Sequence, residues 1–273
     1  MAGTRCAVLG KPVSHSLSPL IHRTGYAWLG LKHWHYLSFN VTPEDLAAFV
    51  GELGQEWRGL SITMPLKEAA AVIGEPDPVA AATGAANTLV FEADGTRAYN
   101  TDVPGLLDAL DAAEIPAYES AAVLGSGATA RSVVMALSLR GCKRVEILAR
   151  TPERGRAVVA FAEGQGLQGT LGEWGKAPQD AELFASTVPS AGLAGQLAEL
   201  PGTGVRAVFD AIYDPWPTPL AALARAAGLT TVSGADLLVH QARHQLRLMT
   251  GQDVPAEPLL SAVRAELGRR AGV

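Results

Sequence analysis

The six residues Gly125-Ser-Gly-Ala-Thr-Ala restrict the fold of this chain more than any other feature. They follow the unbroken apolar run Ala121-Ala-Val-Leu and open a helical stretch over about 130–139. That stretch is stopped by Gly141 and followed by the strand-like Val145-Glu-Ile-Leu-Ala. A buried-type strand, a glycine turn, a helix and a further strand predict a parallel βαβ unit, with a right-handed crossover. Glycines at these positions let the backbone approach a pyrophosphate at a helix start. The same residues also suit an ordinary tight βα turn.

The rest of the chain repeats the alternation. Strand-like runs fall at 6–9, 34–40, 60–63, 183–186 and 207–210, and helical ones at 19–29, 43–51, 65–72, 104–115, 235–249 and 257–270. Residues 89–91 and 98–99 read as a hairpin around Asp94-Gly95. With 273 residues, 48% of them hydrophobic and 18% charged, the chain has material for about two globular domains. There is no fixed-period repeat and no apolar stretch near the roughly 20 residues that cross a bilayer. The balance of 22 basic against 27 acidic side chains, net −5, argues against a nucleic-acid-binding surface. Two cysteines, Cys6 and Cys142, make no disulfide framework. Without a secretory leader, the expected compartment is the cytoplasm.

The strand ending near residue 149 bears on the nucleotide. An NAD site commonly places Asp or Glu there for the ribose 2′-hydroxyl. Here the residues are Ala149-Arg150-Thr151, with Arg154 one turn on. Guanidinium groups clamp a 2′-phosphate and stack on adenine, so the spacing favours NADP over a solvated arginine surface.

Polar groups gather elsewhere at strand and helix ends. Ser14, Ser16 and Ser18 precede a helix, where they either cap it or bond a carboxylate. Thr63 ends a strand, and Lys67 lies just inside the next helix. The segments Ala86-Asn87-Thr88 and Tyr99-Asn100-Thr101-Asp102 flank the hairpin, which brings Asn87 and Asp102 together. Gln241 shares a helical face with Leu237, Leu238, Gln245 and Leu248 and is expected to point inward, as a core hydrogen bond or a ligand. The six histidines have no metal-ligand spacing. His240 and His244, four apart, lack a third ligand and read as surface residues, so no metal is expected.

The segments 10–19, 61–67, 84–88, 100–105, 125–130 and 210–220, taken in order, resemble the shikimate dehydrogenase family over nearly the whole chain. The resemblance implies an α/β fold of two domains with a cleft between them. An α/β substrate domain (1–103, completed by 238–273) would accompany a Rossmann-type nucleotide domain with a doubly wound parallel sheet (104–237). The implied activity is NADP-dependent reduction of 3-dehydroshikimate to shikimate by a monomer or homodimer. By position, Lys67 and Asp102 match the catalytic pair. Ser14, Ser16, Thr63, Asn87, Gln241 and the nearby Tyr213 join them as substrate-binding groups. Gly125, Ser126, Gly127, Ala128, Thr129, Ala130, Arg150, Thr151, Arg154 and Gly234 match cofactor contacts. Four positions depart from the family pattern: Ser61 and Ala149 replace asparagines, Ala128 replaces a glycine, and Asp236 puts an acid near the expected nicotinamide end.

The implied chemistry needs a group that stabilises charge developing on the substrate oxygen. The Lys67 ammonium does this and supplies the proton, while a carboxylate at Asp102 favours the ammonium. That favours a proton relay with Asp102 over a free lysine base. The alternatives are a quinate or aminoshikimate dehydrogenase of the same family, or a silent NADP-binding regulator. A regulator would need neither Lys67 nor Asp102. An apolar-ligand carrier fits poorly with so many hydroxyls and amides.

Overall fold

The computed structural model describes residues 3–189 and 204–272. They form two compact units, one of residues Met1–Gly105 with Leu238–Val273 and the other of Leu106–Leu237.

The first unit is built on β1 (Thr4–Gly10), α1 (Ser18–Trp28), β2 (Trp34–Asn40), α2 (Leu46–Gly51), β3 (Trp57–Ile62), α3 (Lys67–Ala70), β4 (Glu75–Pro76), α4 (Pro78–Thr83), β5 (Thr88–Glu92) and β6 (Gly95–Tyr99). Helix α5 (Asp102–Ala112) begins here. The sheet order is β2-β1-β3-β5-β6-β4. Strands β1, β2 and β3 are parallel, whereas β5 runs antiparallel to both β3 and β6. Ala7, Leu9, Leu60, Ile62, Leu66 and Leu89 anchor its core. The hairpin forms with Ala93-Asp94 as its two-residue loop, and Gly95 starts the return strand at φ 146°.

The second unit holds β7 (Ser120–Leu124), α6 (Ala128–Leu139), β8 (Arg144–Leu148), α7 (Pro152–Gly164), β9 (Gln168–Gly172), β10 (Leu183–Ser186), β11 (Ala207–Asp210), α8 (Pro219–Ala226) and β12 (Thr230–Ser233). Helix α9 (Gly234–Thr250) starts in this unit, and α10 (Ala256–Ala271) belongs to the first. Its six strands are all parallel, in the order β12-β11-β10-β7-β8-β9. That is the doubly wound order, whose switch point lies between the first and fourth strands, here β7 and β10. Fully buried strands read as continuous apolar runs, and β7, β10 and β11 do so.

Several boundaries differ from the sequence reading. The helix expected from 43 starts at Leu46, because Thr42 Oγ1 donates to Asp45 Oδ2 at 2.7 Å and the intervening residues turn. Helix α3 stops at Ala70 rather than reaching 72. The short β4 and α4, the edge strands β9 and β12, and the helices α7 and α8 were not anticipated. Two of these helices carry legible starts. The Asp77 side chain accepts from Ala80 N, and that of Thr218 from Ala221 N, each with proline in the first turn.

His22 on α1 is fully buried and stacks on Tyr36, with ring centroids 4.1 Å apart. Burial lowers its pKa to about 4. The unfolded chain therefore binds a proton near pH 6.5 that the folded chain refuses until about 4. The neutral-form stability is complete above that upper value and is lost as pH falls through this window, at roughly 1.4 kcal/mol per pH unit. Urea midpoints measured at about pH 7 and about pH 5 should show this loss in the wild type, and a shallower one in His22→Phe. Equal slopes would mean that His22 is charged in the folded protein.

Candidate active site

The topology of the first unit delivers four segments to one sheet edge. Because β1 and β3 are parallel neighbours, the loops following them leave at the same side. Because β5 opposes both β3 and β6, with Ser61 opposite Thr88 and Thr88 opposite Tyr99, the start of β5 and the end of β6 arrive there too. Backbone bonds tie the segments together: Thr63 N to Leu9 O at 2.9 Å, Ala86 N to Lys67 O at 2.8 Å, and Asn87 N to Tyr99 O at 3.0 Å.

At this edge Lys67 Nζ donates to Asp102 Oδ2 at 2.6 Å, with side chains only 17% and 8% exposed. Removing charges from water is costly unless they are paired and their remaining valences are filled. The second carboxylate oxygen, Oδ1, accepts from Asn87 Nδ2 at 2.8 Å. Asn87 Nδ2 also donates to Gln241 Oε1 at 3.2 Å. Its own Oδ1 accepts from Thr88 Oγ1, Thr101 N and Thr101 Oγ1 at 2.9, 2.8 and 3.0 Å. Asp102 lies in the first turn of α5, where a negative charge is favoured, and its backbone N donates to Asn100 Oδ1 at 3.0 Å.

Gln241 reaches this cluster because α9 lies against α5 at a glycine. A Cβ on Gly105 would sit 2.6 Å from the backbone N and Cα of Gln241, closer than any side chain allows. Gln241 Nε2 is anchored on Leu238 O at 2.8 Å. Lys67, Asn87, Asp102 and Gln241 are thus brought into one hydrogen-bonded cluster.

Ser14 is exposed and Thr63 half-buried, while Ser16 Oγ accepts from Ser18 N at 3.2 Å at the start of α1. No acidic residue occupies the first turn of that helix, which leaves its positive end open to an anion. Tyr213 belongs to the second unit, in the loop after β11, where it is half-buried. That loop is closed by Thr218 Oγ1, which donates to Asp210 Oδ2 at 2.6 Å. Burial raises the pKa of the Asp210 carboxyl.

In the second unit the glycine turn leaves β7 at the switch point. Gly125 has φ +120°, and a Cβ there would lie 2.2 Å from Thr187 Oγ1, so only glycine fits. Gly127 caps α6 in an extended conformation, with open space where its Cβ would be. Gly125, Ser126, Arg150, Thr151, Arg154, Trp174, Val188 and Pro189 line a cavity of about 160 Å³. Peptide groups on one side, two guanidinium groups on another and apolar walls suit a phosphorylated ribose. Ala128 and Thr129 are half-buried in the first turn of α6, and Ala130 is wholly buried, where it serves helix–sheet packing.

The departures acquire local reasons. Asp236 forms a reciprocal cap with Ser233, accepting from its N at 2.9 Å and its Oγ at 2.7 Å while Asp236 N donates back to Ser233 Oγ. Gly234 starts α9 where a Cβ would meet Ala211 O at 2.0 Å. Ala149 is buried. Ser61 Oγ is bonded to Tyr36 and Gln245.

One reading is corrected: His240 is buried, not at the surface, because α9 packs on more than one face. Three residues of the cluster were not singled out: Thr88, Thr101 and Gln245. Thr88 and Thr101 stand inside the quoted motifs, and Gln245 lies one turn beyond Gln241.

Residues 8–89 match the model for the shikimate dehydrogenase substrate binding domain, and residues 234–264 that for the shikimate 5′-dehydrogenase C-terminal domain. A shikimate dehydrogenase (NADP+) of Moorella thermoacetica is 37% identical over 280 residues, covering 97% of this chain and 94% of that protein. The crystal structure of Mycobacterium tuberculosis shikimate dehydrogenase superposes with a TM-score of 0.88 at 37% identity, covering 96% of this chain and 99% of the other. A Thermus thermophilus shikimate 5-dehydrogenase solved with NADP(H) and shikimate gives a TM-score of 0.83 at 32% identity, covering 96% and 99%.

Proposed function

The chain belongs to the shikimate dehydrogenase family, and from that premise we propose that Lys67 and Asp102 perform the proton transfers of NADP-dependent interconversion of 3-dehydroshikimate and shikimate. The observation that carries the assignment is the 2.6 Å contact between Lys67 Nζ and Asp102 Oδ2, with Asn87 on the other oxygen.

In the reductive direction the substrate oxygen gains negative charge as its carbon takes up hydride. The Lys67 ammonium stabilises that charge and transfers one proton to the oxygen. A positioned acid of this kind contributes about a hundred- to ten-thousand-fold. In the oxidative direction the alcohol proton travels the reverse way, with Asp102 the acceptor that holds Lys67 in line. Ser14 and Ser16, beside the open start of α1, bind the substrate carboxylate. Thr63, Asn87 and Gln241 bind its hydroxyls.

Bound NADP supplies the hydride acceptor, or as NADPH the hydride itself. The residues that hold it are the 125–130 turn for the pyrophosphate, and Arg150, Thr151 and Arg154 for the 2′-phosphate. The open space at Gly127 and the cationic cavity fit that group. Both ligands are anions meeting a chain of net charge −5, so recognition is local.

Cys6 and Cys142 are free and buried, which suits the reducing cytoplasm proposed for this enzyme. No helix among the described residues is long and apolar enough to cross a membrane. Each chain carries a full set of the residues named, which is compatible with the monomer or homodimer proposed here.

Lys67→Ala should lower kcat about a hundredfold or more while the KM for shikimate stays within a small factor. A large rise in KM with kcat intact would reduce Lys67 to a binding residue. Arg150→Asp should weaken NADP at least about tenfold more than NAD, measured by calorimetric titration. Equal losses would remove the 2′-phosphate from this position.

A further inference from the structure

Behind the catalytic pair lies a file of polar side chains of which the mechanism above uses only Asn87. Tyr36, Ser61, Gln245, Thr88 and Asn87 are each no more than 3% exposed. We propose that Gln245 is a positioning residue, the hinge of a one-way hydrogen-bond chain from Tyr36 to Asp102 that fixes which face of the Asn87 amide meets the carboxylate. This rests on the assignment of Lys67 and Asp102 as the catalytic pair.

The direction of the chain follows from counting protons. Tyr36 OH donates to Ser61 Oγ at 2.5 Å, and Ser61 Oγ donates to Gln245 Oε1 at 2.7 Å. The His22 ring Nε2 stands 3.1 Å from the same Oε1. Burial keeps Tyr36 protonated and His22 neutral. The Asn87 carbonyl can only accept, which holds Gln245 Nε2 on its side and turns Oε1 to His22; His22 therefore serves as the Nε2–H tautomer, and its buried Nδ1 has no partner. With two donors on Oε1, the Gln245 amide has a single workable orientation. Its Nε2 then faces two acceptors, Thr88 Oγ1 at 3.0 Å and Asn87 O at 3.1 Å. Having accepted from Gln245, the Thr88 hydroxyl spends its proton on Asn87 Oδ1 at 2.9 Å. Thr101 N reinforces that oxygen at 2.8 Å.

Asn87 therefore turns its NH₂ toward Asp102 Oδ1, at 2.8 Å, and Oδ2 is left for Lys67. A reversed amide would set a carbonyl oxygen against a carboxylate oxygen in a site with little water, where an unmet acceptor is costly. Ser61 has a part in this: its hydroxyl accepts from Tyr36 and passes its one proton to Gln245.

The test separates positioning from packing. Gln245→Met keeps the length and removes both amide functions. Thr88→Val keeps the shape and removes the relaying hydroxyl, which Thr88→Ser restores. Expected are kcat values lower by about tenfold for Gln245→Met and about fivefold for Thr88→Val, with the KM for shikimate within about threefold of wild type. Thr88→Ser should recover kcat to within about twofold, whatever its melting temperature. The proposal is overturned if Thr88→Val keeps wild-type kcat, if Thr88→Ser is as impaired as Thr88→Val, or if KM rises instead. Should Gln245→Met fail to fold, the Thr88 pair decides alone. Lys67→Ala in the same assay tests the underlying assignment, since retained turnover there would fail the pair itself.

Discussion

The contact between Lys67 and Asp102 sets the demands that the surrounding structure meets. A carboxylate this deeply placed is tolerated when it is paired and its second oxygen is also met. Asn87 fills the second oxygen of Asp102, Thr101 and Thr88 fill the oxygen of Asn87, and Gln241 takes its remaining amide proton. These groups come from β5, the turn after β6, and α9, so the sheet order and the α5–α9 approach at Gly105 serve one electrostatic requirement. For the pair proposed to be catalytic, these contacts fix the position of both groups, as preorganised catalysis requires.

The two units carry different kinds of groups suited to anion recognition. The first unit offers serine hydroxyls, the start of α1 and a single ammonium, a combination suited to a small hydroxylated carboxylate. The second offers peptide N–H groups at a glycine turn and two guanidinium groups at the end of β8, suited to phosphates. Neither depends on the overall acidity of the chain, since screening confines charge effects to about 10 Å or less at ordinary ionic strength.

Much of this was legible in the sequence because local chemistry carried it. The hairpin signalled by Asp94-Gly95 forms, with its loop one residue earlier at Ala93-Asp94, and brings Asn87 and Asp102 together, and β2 has the bounds its apolar pattern indicated. The glycine turn sits at the switch point that strand–helix alternation implies. Other parts lacked a local signal. A two-residue β4 has no periodicity, and the edge strands β9 and β12 hold only one large apolar residue each, Leu171 and Val232. The 43–51 helix was read too long because the bond between Thr42 and Asp45 was invisible. The role of Asp236 lay in a cap three residues back. Gln245 is legible as a residue on the face of Gln241, but its role is not, because its partners Ser61, Thr88 and Asn87 are more than 150 residues away in sequence. A buried amide shows its orientation only when all its neighbours are known.

The most direct test of the whole account is steady-state oxidation of shikimate and of quinate, each with NADP and with NAD, under one set of conditions. The Ser14–Ser16 and Lys67–Asp102 sites together with the Arg150–Arg154 cavity predict that shikimate with NADP exceeds each other combination in kcat/KM by about tenfold or more. Preference for quinate, or equal use of NAD, would contradict it.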